Sequence, residues 1–161
     1  MFQKLLQFGG RNDFHTAVFH FRRIPDFVVR YRIPFVLRRV GTAGIAYSPV
    51  AIDTKDLSIH PDELNTTAAL IRGVAAAFAA RGCVLHGFDA DVHSNVLPGS
   101  GLSSSAAFEV LIGRILNGLF ADGKVSAIEI AQIGQYAENV YYGKPCGLMD
   151  QMASSVGGLV Y

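Results

Sequence analysis

The sequence predicts an α+β fold of about one domain's size. Several segments repeat apolar residues with the i, i+3, i+4, i+7 spacing of an amphipathic helix, whereas residues 84–96 alternate loosely, as strands do. Half of the 161 residues are hydrophobic and only 17% are charged. Such a chain can bury enough apolar surface to offset the entropy lost on ordering, so we expect one folded core.

The first helix is predicted from the apolar spacing within residues 67–78. Asn65 or Thr66 can cap its start, and Arg81 and Gly82 mark its stop. The residues expected to face the core share one helical stripe: Thr67, Leu70, Ile71, Val74, Ala75 and Phe78. Residues 84–96 are then predicted to form one or two strands around a turn.

A second helix is predicted from about Ser104 to Leu119, because apolar residues again recur at helical spacing. The turn Ala121-Asp122-Gly123 ends it. Its expected core-facing residues are Ala107, Val110, Leu111, Ile115 and Leu119.

A capping-box signature opens the third helix, where Ser126 is followed three residues later by Glu129. Gly143 stops this helix. The predicted inward face comprises Ile130, Ile133, Gly134, Ala137, Val140 and Tyr141. A short helix over about 148–154 and an apolar strand opening at Leu159 complete the prediction.

The first 40 residues differ sharply in composition from the rest. They carry eight Lys and Arg against two Asp, and seven of the eleven Phe residues. Their Val, Ile, Phe and Tyr favour strands, but Pro25 and Pro34 interrupt and no clean alternation appears. No secondary structure is assigned to them from the sequence.

Several classes of protein are excluded by what the sequence lacks. Apolar stretches such as residues 74–80 fall far short of the roughly 20 residues that span a bilayer, and no signal peptide opens the chain, so a cytoplasmic location without a membrane partner is expected. Cys83 and Cys146 lack paired spacing, which predicts reduced thiols. Neither a zinc site nor a Ser/His/Asp triad is indicated by the spacing of His60, His86 and His93.

The segment LPGSGLSSSAA, residues 97–107, has the composition of an anion-binding loop. Two glycines let the backbone turn its amides inward, and three serines place hydroxyls beside the amides and the positive dipole of a helix start. It is neither a P-loop, which needs a Lys, nor a dinucleotide fingerprint, which needs a third glycine. The alternative interpretation is a flexible Gly/Ser loop before a well-capped helix.

The segment GKPCGLMDQMASSVGG, residues 143–158, places Asp150 at the start of the short helix. There the carboxylate can serve simply as a charge partner for the helix N-terminus. Glu138 is predicted on the polar side of the third helix near its end, where the dipole disfavours a negative charge, and such a misfit points to function. Phosphoryl transfer needs these parts together: a backbone nest for phosphate, oxygen ligands for Mg²⁺ and a carboxylate near the attacking hydroxyl.

LPGSGLSSSAA resembles the phosphate-binding motif of the GHMP kinases, and YAENVYYGKPCGLMDQMASSVGG resembles the galactokinase family among them. The resemblance runs from about Tyr47 to Tyr161. It implies a partial N-terminal domain of the GHMP kinase fold (ribosomal protein S5 domain 2-like), with helices packed on a mixed sheet. Residues 46–161 would form this domain, truncated before the C-terminal domain, and residues 1–45 do not match the family.

The resemblance also implies a reaction and a set of roles. ATP would phosphorylate the C1 hydroxyl of galactose to give galactose 1-phosphate, so ATP and galactose are the expected small-molecule partners and Mg²⁺ the expected metal, without nucleic acid. Asp150 would act as the catalytic base or orient the hydroxyl, and the backbone of Gly147 would touch the sugar. Ser105 and Glu138 would bind Mg²⁺. The ATP phosphates would be wrapped by Gly99, Ser100, Gly101, Leu102, Ser103 and Ser104, with Ser105 beside them.

The sequence departs from the family at its N-terminal end. The sugar-binding segment GRTExxxNHTDH is absent, and Arg11, Arg22 and Arg23 cannot be matched to its Arg. We interpret residues 1 to about 45 as foreign to the family, through a frameshifted or misassigned coding start. Weak galactose binding is then expected. Three alternatives stay open: a non-catalytic sugar or nucleotide sensor, an inactive gene fragment, and a basic N-terminal arm that binds nucleic acid.

Overall fold

The computed structural model describes residues 50–90 and 101–157, together with strand residues 22–23, 29–31, 37–39 and 42–45. The chain divides into two compact units, one of residues 1–53 with 86–102 and the other of residues 54–85 with 103–161. The described strands lie in the first unit and the described helices in the second.

The described residues of the first unit form six short strands, and every pairing among them is antiparallel: β1 with β6, β2 with β5, and β3 with β4. Ile52 lies opposite Val29 and is buried, whereas its neighbour Ala51 is exposed. This alternation is what a strand with one covered face requires. The strands are β1 (Arg22–Arg23), β2 (Val29–Tyr31), β3 (Leu37–Arg39), β4 (Thr42–Ile45), β5 (Val50–Ile52) and β6 (Phe88–Asp89).

The second unit is helical and confirms all four predicted helices. A 3₁₀ turn at Pro61–Glu63 precedes the first helix. The third helix runs directly into a π-helix at Ala137–Tyr142. The four helices are α1 (Thr67–Ala80), α2 (Ser104–Phe120), α3 (Ala127–Tyr136) and α4 (Met149–Val156). Strand pairs and helices together confirm the predicted α+β class.

Two helix starts follow the sequence signals closely. The hydroxyl of Thr66 accepts a hydrogen bond from the backbone N–H of Ala69, which caps α1. Ser126 and Glu129 form the predicted capping box of α3, each side chain bonding the backbone of the other. Both caps satisfy amides that an isolated helix end leaves unpaired.

The core of the second unit lies where α1, α2 and α3 meet, with α4 packed on α2 and α3. Gly73 lets α1 approach the π-helix closely, since a Cβ at this position would lie 2.8 Å from Cβ of Ala137. Large, fully buried side chains fill the centre: Ile71, Phe78, Ile112, Ile115, Leu116, Ile130 and Ile133.

The predicted inward face of α2 was partly wrong. Val110 and Ile115 are buried as expected, but Ala107, Leu111 and Leu119 are only half-buried. Because α2 is contacted by α1, α3 and α4, its covered arc is wider than one stripe and centres elsewhere. The additional buried apolar residues are Ala106, Phe108, Ile112 and Leu116.

The end of the third helix also differs from the prediction. Val140 was expected to face the core but is 40% exposed. It lies in the π-helix, whose wider turn holds an additional residue and so changes which side chains face inward. Gly143 ends this turn with a φ of +86°, in agreement with the predicted stop. The predicted strand at Leu159 lies outside the described residues, as do residues 91–96 of the predicted strand region, and of its residues 84–90 only Phe88–Asp89 form a strand.

Candidate active site

The start of α2 has an unusual backbone. Gly101 has a φ of +76°, and Ser103, which precedes the helix, adopts left-handed φ and ψ of 56° and 48°. The side chain of Ser103, the N-cap residue, makes no capping hydrogen bond to the first amides of the helix. Non-glycine residues in the left-handed region, such as Ser103, cluster where a backbone must present its amides to a ligand. Leu102 is 68% exposed, and Gly99 and Ser100 lie outside the described residues.

Glu138 is the centre of the polar cluster in the helical unit. The hydroxyl of Ser105, in the first turn of α2, donates to Glu138 Oε1 over 2.9 Å. The ammonium of Lys144 reaches the same oxygen at 3.2 Å, and Gln151 Nε2 donates to Oε2 at 2.8 Å. Serine, lysine and glutamine thus engage both oxygens of one carboxylate.

The placement of Glu138 on a polar helix side was wrong, because the residue is only 2% exposed. A prediction from sequence periodicity places a glutamate on the solvent side of a helix because its side chain is charged. Here hydrogen-bond donors from three other segments offset the cost of burying that charge. Burial alone would raise the pKa of Glu138, yet the surrounding donors outweigh it and hold the pKa below its ordinary value. These donors are the Cys146 thiol, Ser105 and Lys144.

Two functional candidates were missed by the sequence interpretation, Glu109 and Gln151. Both side chains are completely buried, and Gln151 Nε2 donates to Glu109 Oε2 at 3.1 Å. Burial raises the pKa of Glu109 to about 8, although the hydrogen bond from Gln151 opposes this. The available signal was a single Glu within the apolar run AAFEVLIG of α2.

Asp150 lies in the first turn of α4 and is exposed, as the sequence placed it. It directly precedes Gln151, so the residue next to Asp150 is held by the Glu138 cluster. Gly147 is exposed, and a Cβ there would meet no atom within 4 Å. The carboxylate and the glycine backbone are therefore open to a ligand.

The loop that carries Gly147 is fixed by hydrogen bonds from α3 and the π-helix. The backbone N–H of Cys146 donates to Asn139 Oδ1 at 2.6 Å. Its carbonyl accepts from Gln135 Nε2 at 3.2 Å. These bonds hold the loop between the π-helix and α4 without covering Gly147.

The remaining sequence expectations concern the cysteines, the histidines and the membrane. Cys83 and Cys146 carry free thiols, as predicted. His60 pairs with Asp56 at 3.0 Å, and over the described ranges no cluster of three or more His, Cys, Asp or Glu is arranged to hold a metal. None of the described helices combines the length and apolar character needed to cross a membrane.

Comparison with known proteins identifies the class to which this site belongs. Residues 69–158, more than half of the chain, match the family described as GHMP kinases N terminal domain. The chain therefore belongs to the GHMP kinase family.

The resemblance to galactokinases within this family is confirmed by curated relatives. The galactokinase of Streptomyces coelicolor is 41% identical over 117 residues, 73% of this chain and 30% of the relative. The galactokinase of Bacillus subtilis is 44% identical over 87 residues, 53% and 22% of the two chains. This chain thus spans less than a third of the length of these relatives.

A solved structure agrees with this result. Lactococcus lactis galactokinase, crystallised in complex with galactose, matches with a TM-score of 0.67 and 26% sequence identity. The match covers 85% of this chain and 33% of that one. The predicted GHMP kinase fold is thereby confirmed, with this chain corresponding to part of it.

Proposed function

We propose that this chain carries the phosphoryl-transfer site of a galactokinase, which converts ATP and galactose to ADP and galactose 1-phosphate. The observation that carries the proposal is the hydrogen bond between Ser105 and Glu138, at the uncapped start of α2. It joins an anion-binding helix start to an ionised carboxylate, next to the helix that bears Asp150. The galactokinase relatives support the choice of sugar.

The ATP phosphates would lie against the loop before α2. Backbone amides and the positive end of the helix dipole bind phosphate oxygens there. The left-handed conformations of Gly101 and Ser103 favour amides that point to one side of the loop. The residues proposed to wrap the phosphates are Gly99, Ser100, Gly101, Leu102, Ser103, Ser104 and Ser105.

The donor set at Ser105 and Glu138 fits Mg²⁺. Both donors are hard oxygens 2.9 Å apart, and Mg²⁺ sites commonly combine one or two carboxylates with substrate phosphates and water. When bound, the metal would neutralise charge on the phosphates. Glu138 would supply the negative charge and Ser105 a neutral oxygen, and Lys144, which pairs with Oε1 at 3.2 Å, would be attracted to the negative charge of the phosphates.

Asp150 is proposed to take the proton of the galactose C1 hydroxyl or to orient it. The hydroxyl oxygen forms a bond to the γ-phosphorus of ATP while the bond to the bridging β,γ-oxygen breaks and ADP leaves. The Gly147 backbone is proposed to contact the sugar from the neighbouring loop. Catalysis then depends chiefly on holding the two substrates in register and on stabilising charge.

The proposal extends to the whole chain in two respects. Residues 46–161 would form the partial GHMP kinase N-terminal domain, and residues 1–45 would be foreign to it. Since the reaction consumes ATP, the proposal places the protein in the cytoplasm, with small molecules rather than nucleic acid or membranes as partners.

The test is galactose-dependent ADP release by the 161-residue chain with Mg-ATP, compared with Asp150→Asn. We expect release to rise with galactose without saturating, because the family's sugar-binding segment is absent. Asp150→Asn should lower it by roughly 10²- to 10⁴-fold while ATP binding persists.

Two outcomes contradict parts of the proposal. Equal turnover in Asp150→Asn would remove Asp150 from the mechanism. ATP binding without any galactose-dependent release would overturn the kinase activity and favour a non-catalytic sensor.

A further inference from the structure

The side-chain amide of Gln151 occupies a fully buried position between the carboxyl groups of Glu138 and Glu109. Its Nε2 lies 2.8 Å from Glu138 Oε2 and 3.1 Å from Glu109 Oε2. A glutamine amide nitrogen carries two hydrogens, and these two oxygens are its nearer acceptors, since Cys146 Sγ lies farther away at 3.6 Å. The three side chains are 0%, 2% and 0% exposed for Gln151, Glu138 and Glu109.

The orientation of the Gln151 amide group leaves its oxygen unpaired, and the neighbouring Glu138 carboxylate explains why this orientation is kept. Its Oε1 is buried and has no hydrogen-bond partner among the described residues. An unpaired buried oxygen costs about 1–3 kcal/mol. The reverse orientation would turn an oxygen lone pair toward ionised Glu138, so the carboxylate dictates that the NH₂ group faces it.

The two oxygens of Glu138 therefore have different partners. Oε2 accepts a hydrogen bond from Gln151, whereas Oε1 faces Ser105 and Lys144. A carboxylate that can rotate would present either oxygen, or neither, to the hydroxyl of Ser105. Hydrogen bonds to metal-ligating carboxylates commonly change metal affinity by roughly 10- to 100-fold.

We propose that Gln151 is a positioning residue that fixes the carboxylate of Glu138 for metal binding, with Glu109 supporting its amide from the far side. The inference rests on the proposed Mg²⁺ site at Ser105 and Glu138. Gly134 makes room for the arrangement, because a Cβ there would lie 3.1 Å from Glu109 Oε2 and 3.2 Å from Gln151 Cγ. Gln151 also follows Asp150 directly in α4, so the same contact anchors the helix turn that carries the proposed base.

The experiment measures Mn²⁺ binding to the full 161-residue chain in the presence of ATP, as the loss of the electron paramagnetic resonance signal of the free ion beyond the loss that the same ATP causes without protein. Gln151→Met keeps the length of the side chain and removes its donors. We expect the dissociation constant for Mn²⁺ to rise by roughly 10- to 100-fold. Glu138→Gln marks the site, since its substitution should abolish this binding.

Ser155→Ala is the matched control on the same helix. Ser155 is also buried and also ties α4 to the rest of the unit, through a 2.6 Å hydrogen bond to the Ala127 carbonyl. If Gln151 had a purely structural role, Gln151→Met and Ser155→Ala would both lower the urea midpoint, and neither would change the affinity for Mn²⁺. We expect Ser155→Ala to keep Mn²⁺ affinity within about twofold of the wild type.

The outcomes separate the inference from the function on which it rests. If the wild type binds no Mn²⁺ with ATP, or if Glu138→Gln binds it equally well, the proposed metal site is wrong and the inference falls with it. If Gln151→Met binds Mn²⁺ as tightly as the wild type while Glu138→Gln does not bind it, Gln151 is a packing residue and the proposed metal site stands. Gln151→Asn, one methylene too short to reach both carboxylates, serves the same comparison if Gln151→Met does not fold.

Discussion

The hydroxyl of Ser105 lies 2.9 Å from Glu138 Oε1, which joins the first turn of α2 to the π-helix that follows α3. The two residues are 33 positions apart, and no local pattern requires them to meet. The π-helix brings the carboxylate to this position, at a type of irregularity that is frequent at functional sites. A neutral and a charged oxygen are thereby placed side by side at a helix start.

Substituting Ser105→Ala should therefore weaken ATP binding mainly when Mg²⁺ is present. The hydroxyl is one of two proposed protein ligands, and its loss should reduce the Mg²⁺-dependent gain in affinity by about tenfold. Calorimetric titration of ATP in Mg²⁺ and in EDTA measures that gain. Ser154→Ala, on α4 and outside the cluster, is the control. An unchanged gain in Ser105→Ala would exclude its hydroxyl from the metal site.

The stability of the chain should fall as pH rises from about 4.5 toward about 8, through Glu109. Burial raises the pKa of this carboxyl from 4.5 to about 8, so in this range the folded state holds a proton that the unfolded state has lost. The free energy of unfolding then decreases with pH by at most about 1.4 kcal/mol per unit for one group. The stability contributed by the proton is complete below pH 4.5 and lost as pH passes 8.

Glu109→Gln isolates this contribution, because glutamine has similar shape and does not titrate. The difference in urea-derived unfolding free energy between wild type and Glu109→Gln should decrease across pH 5–8. A difference that is constant or increases with pH would show that Glu109 is ionised in the folded protein.

Much of the helical framework could be predicted from the sequence, because its signals are local. Thr66 caps α1, and Ser126 with Glu129 opens α3, through contacts that span three residues. Gly143 ends the π-helix by a positive φ that glycine adopts without strain. In each case the sequence neighbours supply both partners.

The organisation of the site could not be predicted in the same way. Whether Glu138 is buried depends on donors from α2, α4 and the loop at Lys144, which only the tertiary structure brings together. Gln151 was not singled out because a glutamine in the first turn of a short helix is common. Its importance is evident only once its contacts with Glu138 and Glu109 are known. The family resemblance identified Ser105 and Asp150 as residues of interest but not what supports them.

Arg72 should contribute strongly to stability despite its distance from the site. It is 4% exposed, donates to both carboxylate oxygens of Glu63 at 2.8 and 2.7 Å, and also to the Asp56 carbonyl. Arg72→Leu would leave the half-buried Glu63 carboxylate without this partner, at a cost of about 1–3 kcal/mol, because a partly desolvated charge would lose its hydrogen bonds.

Urea denaturation measures this cost, and the exposed pair of Lys124 and Asp122 provides the comparison. These side chains are 79% and 83% exposed, so Lys124→Met should change the unfolding free energy by less than about 0.5 kcal/mol. Equal effects in Arg72→Leu and Lys124→Met would mean that the Arg72 pair is as weak as a surface pair.

Gly73 and Gly147 should differ in their response to substitution by alanine, because one glycine permits close packing and the other faces open space. An added Cβ at Gly73 would lie 2.8 Å from Ala137 Cβ and 2.9 Å from the Tyr141 ring, closer than packed side chains approach. α1 and the π-helix must then separate, which costs about 1–3 kcal/mol. At Gly147 nothing lies within 4 Å.

Gly147→Ala should therefore keep the urea midpoint of the wild type, while Gly73→Ala should lower it. Because Gly147 is proposed to contact the sugar through its backbone, Gly147→Ala should reduce galactose-dependent ADP release more than it changes ATP binding, since only the sugar side of the site is crowded. The same loss in ATP binding and in ADP release would place Gly147 outside the sugar contact. A Gly73→Ala variant as stable as the wild type would show that the interface of α1 with the π-helix adjusts to the added methyl group at little cost.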